Sequence, residues 1–580
     1  MLSKHWLVAD SAPQAHLKKY KGISPILAQV LYNRGLADPN DAYVFLTAEG
    51  GDSFDPFKMS DMPAAVQRVK TAIRKQELII VYGDFDADGA TSTALLMTVL
   101  TCLGAKVQPY IPHRVDEGYG LNLGALRKIY SMGAELIITV DCGIRSVEEV
   151  HAWQKLGKRD IIVTDHHSIG PELPPAFAVV NPKRDKAPVE TMLAGVGVAF
   201  KFAQAIVRAC NTEGKRSPLR AAAQNINVED LLDLVAIGTV ADLVPLDKIE
   251  NRLLVRRGLN VLNQAKRPGV RALMEVAGIA PGQVDAMSIG FGLGPRINAA
   301  GRLESAMLSY ELLYTNDTAR AQSLAARLQE LNEKRQDLTR EAQEIVRVDL
   351  EERDEEDAPL IFASHEGFQH GIVGLVAGRL TEEYYRPAVV MRVGDEESNA
   401  SCRSIPQFDI TQALDQCADL LVRHGGHAQA AGFTVLNDNI DALRDRLTGI
   451  ATDSLHGQEL RPTIEIDADL DIHQLNEDIV EEMKILQPTG NDNPAPLFMT
   501  SNAFITEWKP VGRDERHLKL KLSRAGQPPL DAIGFNLGEW AGRLPERVDV
   551  AYELEINEWN GRRNLQLNLK DIRPAGVNGK

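Results

Sequence analysis

Carboxylates and imidazoles recur in short clusters along this sequence, each closing an apolar run. Asp84, Asp86 and Asp88 stand in GDFDADG, Asp141 in VDCG, and Asp165, His166 and His167 in TDHH; Asp242 in GTVADLVPL is a fourth candidate. Carboxylate oxygens with one or two imidazoles suit Mn2+ or Mg2+ better than zinc, which favours thiolate-rich or His-rich sites. Several carboxylates converging on one edge cannot all stay ionised unless cations neutralise them. Two such ions about 3.5–4 Å apart could clamp a phosphate and activate a water between them. Each cluster alone has a plainer explanation. A DxDxDG segment is often a solvated turn, an HH pair often a helix cap with a surface imidazole, and a lone Asp after apolar residues often an N-cap. Their joint occurrence at the ends of one expected sheet argues for a metal centre.

The surrounding pattern supplies that sheet. Leu78 to Tyr82, VQPYIP, ELIITVDCG, DIIVTDHH and FAVVNP are short Val/Ile-rich runs separated by helical stretches, the first of them Thr91 to Leu103. This predicts a parallel sheet covered on both faces, with the polar clusters at the carboxyl ends of its strands, where open α/β sheets bind ligands. The acids of GDFDADG would share a direction only if the segment is extended, as in a strand running into a loop. Residues 316–354 form one long charged helix without Gly or Pro and with a single apolar stripe, a spacer between globular bodies. A second α/β unit follows. The alternating runs HLKLKLS, VDVAYELEIN and NLQLNLKDI then predict a small antiparallel barrel of oligonucleotide-binding type.

The 580 residues exceed one hydrophobic core. No apolar run approaches the roughly 20 residues that cross a bilayer, and Met1 to Asp10 has no signal-peptide core, so a cytoplasmic protein is expected. The five cysteines (Cys102, Cys142, Cys210, Cys402, Cys417) form no C-x-x-C pair and are expected to be small buried residues. The net charge of −16 opposes a nucleic-acid partner at first sight. A metal-dependent nuclease, however, spends acids on its cations and needs only a local basic arc for phosphates.

Taken in order, GDFDADG, VDCG, DHH and GTVADLVPL resemble the motifs of the DHH phosphoesterase superfamily. GFGLGPRINAAGR (Gly290–Arg302), GGHAQAAG (Gly425–Gly432), the chain length and the C-terminal barrel narrow the resemblance to the RecJ-type single-strand DNA exonucleases. The implied architecture is an N-terminal segment (1–60), a parallel-sheet DHH domain (61–315), a connecting helix (316–354), a second α/β domain of DHHA1 type (355–456) and an OB-type β-barrel (460–580). The resemblance implies that Asp86, Asp88, Asp141, His166 and Asp242 bind two ions, Mn2+ or Mg2+. Asp141 would bridge them, Asp84 would complete or support the set, and His167 would face the phosphate or the attacking water. One departure stands at Tyr82, where many members carry His; a phenol is a poor ligand, so one ion would be held weakly.

Strand contacts are expected from Arg296, Asn298 and Arg302, whose small neighbours let a backbone approach, and from Gly425, Gly426 and His427. His370, Arg379 and Arg403 are further candidates. In the barrel, Arg513, Arg516, His517, Lys519, Lys521, Trp559, Arg562 and Arg563 could track a strand, although Lys and Arg on strands are often only solvated. The resemblance implies 5′-to-3′ hydrolysis of single-stranded DNA to mononucleotides in DNA repair and recombination, with a single-strand-binding protein and a RecQ-type helicase as partners. Two rivals remain: a small-substrate phosphatase of the same superfamily acting on short oligonucleotides or cyclic dinucleotides, and a catalytically dead replication scaffold. The extra barrel and GPRINAAGR argue against the first, and the full set of acids and histidines against the second.

Overall fold

A computed structural model describes residues 4–47, 54–114, 116–157, 159–524, 528–559 and 562–576. The chain divides into two compact units, one of Gly51–Gln458 with Gly490–Asp492, the other of Met1–Gly50, Glu459–Thr489 and Asn493–Lys580.

In the first unit, five strands form a wholly parallel sheet: β1 (Ile79–Tyr82), β2 (Val107–Tyr110), β3 (Leu136–Val140), β4 (Asp160–Thr164) and β5 (Ala178–Val180), in the order β2-β1-β3-β4-β5. The apolar runs are continuous because both faces are covered. Ile79, Val81, Leu136, Ile138 and Val140 pack into a large helical core on one side; Ile80, Tyr82, Ile137, Ile161 and Val163 pack into a smaller one on the other. This alternation decides where Tyr82 goes. Its ring lies in the smaller core and its hydroxyl donates to the Gly120 carbonyl at 2.8 Å. Tyr82 is therefore a packing residue of the smaller core.

The helices that frame the sheet edge are α1 (Ala87–Cys102), α2 (Gly195–Asn211), α3 (Leu232–Ala241) and α4 (Gly294–Leu303). Two sequence expectations need correction here. The helix after the first acidic motif starts at Ala87 rather than Thr91, so Asp86 is its N-cap and Asp88 lies in its first turn. The acids of GDFDADG are thus gathered by a strand-to-helix turn rather than by an extended segment. Asp242 follows the C-terminus of α3.

The long helix α5 spans Thr318–Arg353, capped by the Asp317 carboxylate on Ala319 and Arg320 N–H. It is more than a spacer. Its Ala321, Leu324, Leu328 and Leu331 pack into the core of the parallel sheet, and its Ala342, Val346 and Leu350 into the core of a second sheet. That sheet contains β6 (Ile361–His365), β7 (Ala388–Arg392), β8 (Glu397–Arg403), β9 (Leu421–His427) and β10 (Ala430–Leu436), in the order β9-β10-β8-β7-β6, with helix α6 (Val373–Tyr384) against it.

The second unit holds the barrel. Strands Phe498–Val511, His517–Ser523, Leu530–Gly534, Arg562–Pro574 and Arg547–Trp559 pair in that order and close between the first and last. The N-terminal segment belongs here, which its sequence did not reveal: His5–Val8 pairs in parallel with Thr463–Ile466, and Trp6 Nε1 donates to Asp571 Oδ2 at 2.8 Å. The side chains of Trp559 and Arg562 lie outside the described residues. Four cysteines are buried as expected; Cys102 is exposed. No helix of the described residues is long and apolar enough to cross a membrane.

Candidate active site

Five acids and two imidazoles meet around the carboxyl edge of the parallel sheet, and backbone donors hold Asp86 and Asp88 in place. Asp84 leaves the end of β1 almost wholly buried. Asp86 Oδ1 accepts from Gly89 N–H at 3.0 Å as the α1 cap. Both Asp88 oxygens accept from the first N–H groups of α2, Gly195 at 2.6 Å and Val196 at 2.7 Å, where the helix dipole favours negative charge. Asp141 follows β3 in the left-handed region (φ 61°), a conformation tolerated by Asp more than by most residues. Residue 195 has to be glycine there: a Cβ would stand 2.6 Å from Asp141 Oδ1.

Asp165, the acid of the DHH triplet, is a scaffold. It accepts from His166 N–H (2.7 Å), His167 N–H (3.0 Å), His167 Nδ1 (2.8 Å) and Ile144 N–H (2.8 Å), which uses both oxygens. These bonds and the positive charge of His167 outweigh burial and hold its carboxyl below the usual range. The result fixes both imidazoles. His166 Nε2 points among Asp141 Oδ1 (3.2 Å), Asp242 Oδ2 (3.5 Å) and Asp88 Oδ2 (3.9 Å). His167 keeps its Nδ1 proton toward Asp165 and is approached by the Tyr119 hydroxyl at 3.1 Å.

The electrostatics of this group are out of balance. Burial first, and then neighbouring carboxylates, raise Asp88 to about 7 and Asp242 to about 9, and push Asp84 and Asp141 well above the normal range. Burial, with the charge of His167, lowers His166 to about 3. Asp84 Oδ1, Asp141 Oδ1 and His166 Nε2 are buried without a hydrogen-bond partner. Unpaired buried acceptors are costly, and a cation that took them as ligands would relieve that cost. Three donor groups have their atoms within 4.8 Å: Asp84, Asp86 and Asp141; Asp88, His166 and Asp242; Asp141, His166 and His167. Asp141 is common to two of them. The oxygen-rich donor set matches Mn2+ or Mg2+.

Beside the acids lies a row of guanidinium groups with the opposite imbalance. Arg302 donates to Gly371 O at 3.0 Å, and burial together with Arg114, Arg335 and Arg403 lowers it to about 9. Arg114 stacks on Phe85 at 4.6 Å; burial lowers it, while Asp84 and Asp86 pull it up. Arg335 of α5 is lowered by burial and by Arg379 and Arg296, and its Nε has no partner. Burial also lowers Arg403, and burial followed by Arg114, Arg392 and Arg423 lowers His370. Other arginines of α5, such as Arg327, Arg340 and Arg347, pair with carboxylates. Among the described residues Arg114, Arg302, Arg335, Arg379 and Arg403 do not. The row bridges the two sheets, and its tightest point requires glycine, since a Cβ on Gly371 would lie 2.1 Å from Arg302 O.

The strand-contact candidates divide unevenly. Arg302, His370 and Arg403 belong to this row, and exposed Arg379 joins it through Arg335. Arg296 is partly committed, to Gln329 Oε1 and Gly292 O, each at 2.7 Å. Asn298 accepts from Ala87 N–H at 2.8 Å, so its carbonyl oxygen supports the first acidic motif. Gly425, Gly426 and His427 lie exposed on a hairpin, β9 turning into β10 at the edge of the second sheet. Among the described residues no hydrogen bond or ion pair joins them to the acids. Arg114, Arg335 and Tyr119 were not singled out from sequence. Arg114 follows β2 at the same edge as the acids, so the strand-end logic could have found it; Arg335 is one charge among many on α5 and carries no local signal.

Residues 78–239 match the DHH family, N-terminal domain, residues 357–453 the DHHA1 domain and residues 466–571 the RecJ OB domain. The chain is 39% identical over 554 residues to the single-stranded-DNA-specific exonuclease RecJ of Bacillus subtilis, covering 95% of this chain and 68% of that protein. It is 36% identical over 531 residues to the Escherichia coli protein of the same name, covering 89% and 91%. The crystal structure of RecJ in complex with Mn2+ from Thermus thermophilus superposes with a TM-score of 0.84 at 29% identity, over 99% of this chain and 80% of that one. Fold and site together define a phosphoesterase of the DHH class. Within it, the chain belongs to the RecJ family of single-stranded-DNA-specific exonucleases.

Proposed function

We propose that this chain is a divalent-metal-dependent exonuclease that hydrolyses phosphodiester bonds of single-stranded DNA. The observation that carries this reading is the meeting of unpartnered buried acceptors, Asp84 Oδ1, Asp141 Oδ1 and His166 Nε2, with a row of arginines that lack carboxylate partners. Asp84, Asp86, Asp88, Asp141, His166 and Asp242 would hold two Mn2+ or Mg2+ ions, Asp141 contributing to both. Such ions supply Lewis-acid stabilisation of phosphate oxygens and lower the pKa of water.

The protein's own groups do the rest. Arg114, Arg302 and Arg403 hold backbone phosphates beside the acids, with guanidinium forks suited to their oxygens. His167, its Nδ1 proton fixed on Asp165, presents Nε2 toward the reacting phosphate. Exposed Tyr119 stands edge-on to both Phe85 and His167 and walls that side of the site. Family membership supports release of mononucleotides from the 5′ end, in repair and recombination. It also supports a cytoplasmic location and delivery of substrate by a single-strand-binding protein and a RecQ-type helicase.

A time course on end-labelled single and double strands, with Mn2+, Mg2+ or chelator, tests the proposal. Mononucleotides should appear from single strands only, and only with metal. Hydrolysis of a dinucleotide with none of a long strand would favour the small-substrate phosphatase instead.

A further inference from the structure

One loop far along the chain grips the turn that carries Asp242. The tripeptide Gly490–Asp492 clusters with the unit of Gly51–Gln458, although the residues on either side of it do not. Asn491 reaches both ends of the segment after Asp242: its Nδ2 donates to Leu243 O at 2.7 Å, and its backbone carbonyl accepts from Leu246 N–H at 2.9 Å.

That segment needs an external brace. Asp242 is the C-cap of α3, its N–H bonded to Gly238 O at 2.9 Å. The next residue turns the chain in the left-handed region (φ 56°), a position that helices usually give to glycine. Here it is Leu243, whose side chain is 68% exposed and so gains little from packing. A branched residue held in that region persists only where its surroundings over-determine it. The Pro245 carbonyl is held by Asn251 Nδ2 at 3.0 Å, and Asn491 holds the two positions that flank the remainder. The Asp242 carboxylate, on the residue just before that turn, lies 3.5 Å from His166 Nε2.

We infer that Asn491 is a positioning residue for the metal centre, fixing the turn that aims Asp242 at the cation shared with Asp88 and His166. The inference rests on the metal-ligand role proposed for Asp242. Asn491 is exposed, so Asn491→Ala removes the side-chain bond without opening a core.

The test is Mn2+ binding to the full-length protein, read from the free-ion signal in electron paramagnetic resonance, with DNA hydrolysis measured in parallel across Mn2+ concentrations. Asn491→Ala should weaken binding of one ion by about 10-fold, the lower end of what loss of a supporting hydrogen bond costs a metal site. Its kcat should return toward the parent value at saturating Mn2+, with KM for DNA unmoved, which a general loss of structure would not produce. Leu243→Gly relieves the backbone conformation that needs the brace, so adding Asn491→Ala in that background should cost much less Mn2+ affinity than it does alone. Parent-like Mn2+ binding by Asn491→Ala overturns the inference, and so does full additivity of the two changes. If Asp242→Ala itself binds Mn2+ as the parent does, the ligand assignment fails first, and the positioning role with it.

Discussion

The acid cluster and the arginine row solve opposite electrostatic problems with opposite designs. Two of the acid motifs carry their own scaffold: Asp86 caps the helix that carries Asp88, and Asp165 holds both histidines of its own triplet. The arginines arrive singly: Arg114 after β2 on an aromatic ring, Arg302 of α4 and Arg403 of β8 on backbone carbonyls, and Arg335 of α5 on the Asn332 side chain. Burial raises the carboxyl pKa values on one side and lowers the guanidinium values on the other. That contrast is what a region receiving cations beside one receiving a polyanion would show. A charge that cannot be paired within the chain identifies the sign of its missing partner.

The largest effect is expected at Asp141, the acid common to two of the candidate ion groups. Asp141→Ala is expected to cut strand hydrolysis by on the order of a thousandfold, the scale lost when a principal charge stabiliser is removed from an active site. Circular dichroism should remain that of the parent. Retention of more than about a tenth of the rate would remove Asp141 from the centre of the mechanism.

The arginine side should respond in binding rather than in chemistry. Arg302→Ala is expected to raise KM for single-stranded DNA by about 10- to 30-fold, the equivalent of one desolvated charge contact of roughly 2 kcal/mol. The slope of log KM against log salt should fall by about 0.7, the contribution of one phosphate neutralised on a single strand. An unchanged slope would mean that Arg302 ties the two sheets together through Gly371 without meeting the substrate.

The same contrast explains what was legible from sequence. The acid motifs were readable because each is compact and ends an apolar run, so spacing along the chain maps onto spacing at the sheet edge. Their local geometry was not: whether Asp88 lies on an extended segment or in a helix's first turn depends on the α2 N–H groups more than a hundred residues away. Arg335 shows the other limit. On α5 it is one of several cations, and only packing leaves it without a carboxylate while Arg327 and Arg340 find one. The motif places Asn298 among the strand contacts, and its carbonyl oxygen also accepts from Ala87 N–H. Asn298→Ala should therefore slow turnover several-fold and cost about 1 kcal/mol of stability, the usual size of one lost buried hydrogen bond. A rise in KM alone, with kcat unchanged, would return it to the strand-binding set.

The smallest effect is a shift in stability with pH, and its sign separates a cation site from an ordinary buried cluster. Asp88 at about 7 and Asp242 at about 9 lie above the unfolded carboxyl value near 3.9. Between those values the folded, metal-free protein keeps protons that the unfolded chain releases. The stabilisation from these groups is complete below about pH 4 and is lost as the pH rises through the folded values. In chelator, the thermal midpoint should fall by on the order of a few degrees between pH 6 and pH 9. Mn2+ competes with those protons for the same oxygens, so its stabilising increment should grow over that interval. Scanning calorimetry at both pH values, with and without Mn2+, measures the two slopes. An increment that shrinks toward pH 9, with the metal soluble throughout, would mean that the acids hold protons for structural reasons and that the arginine row faces them as counter-charges rather than as the second wall of a nuclease site.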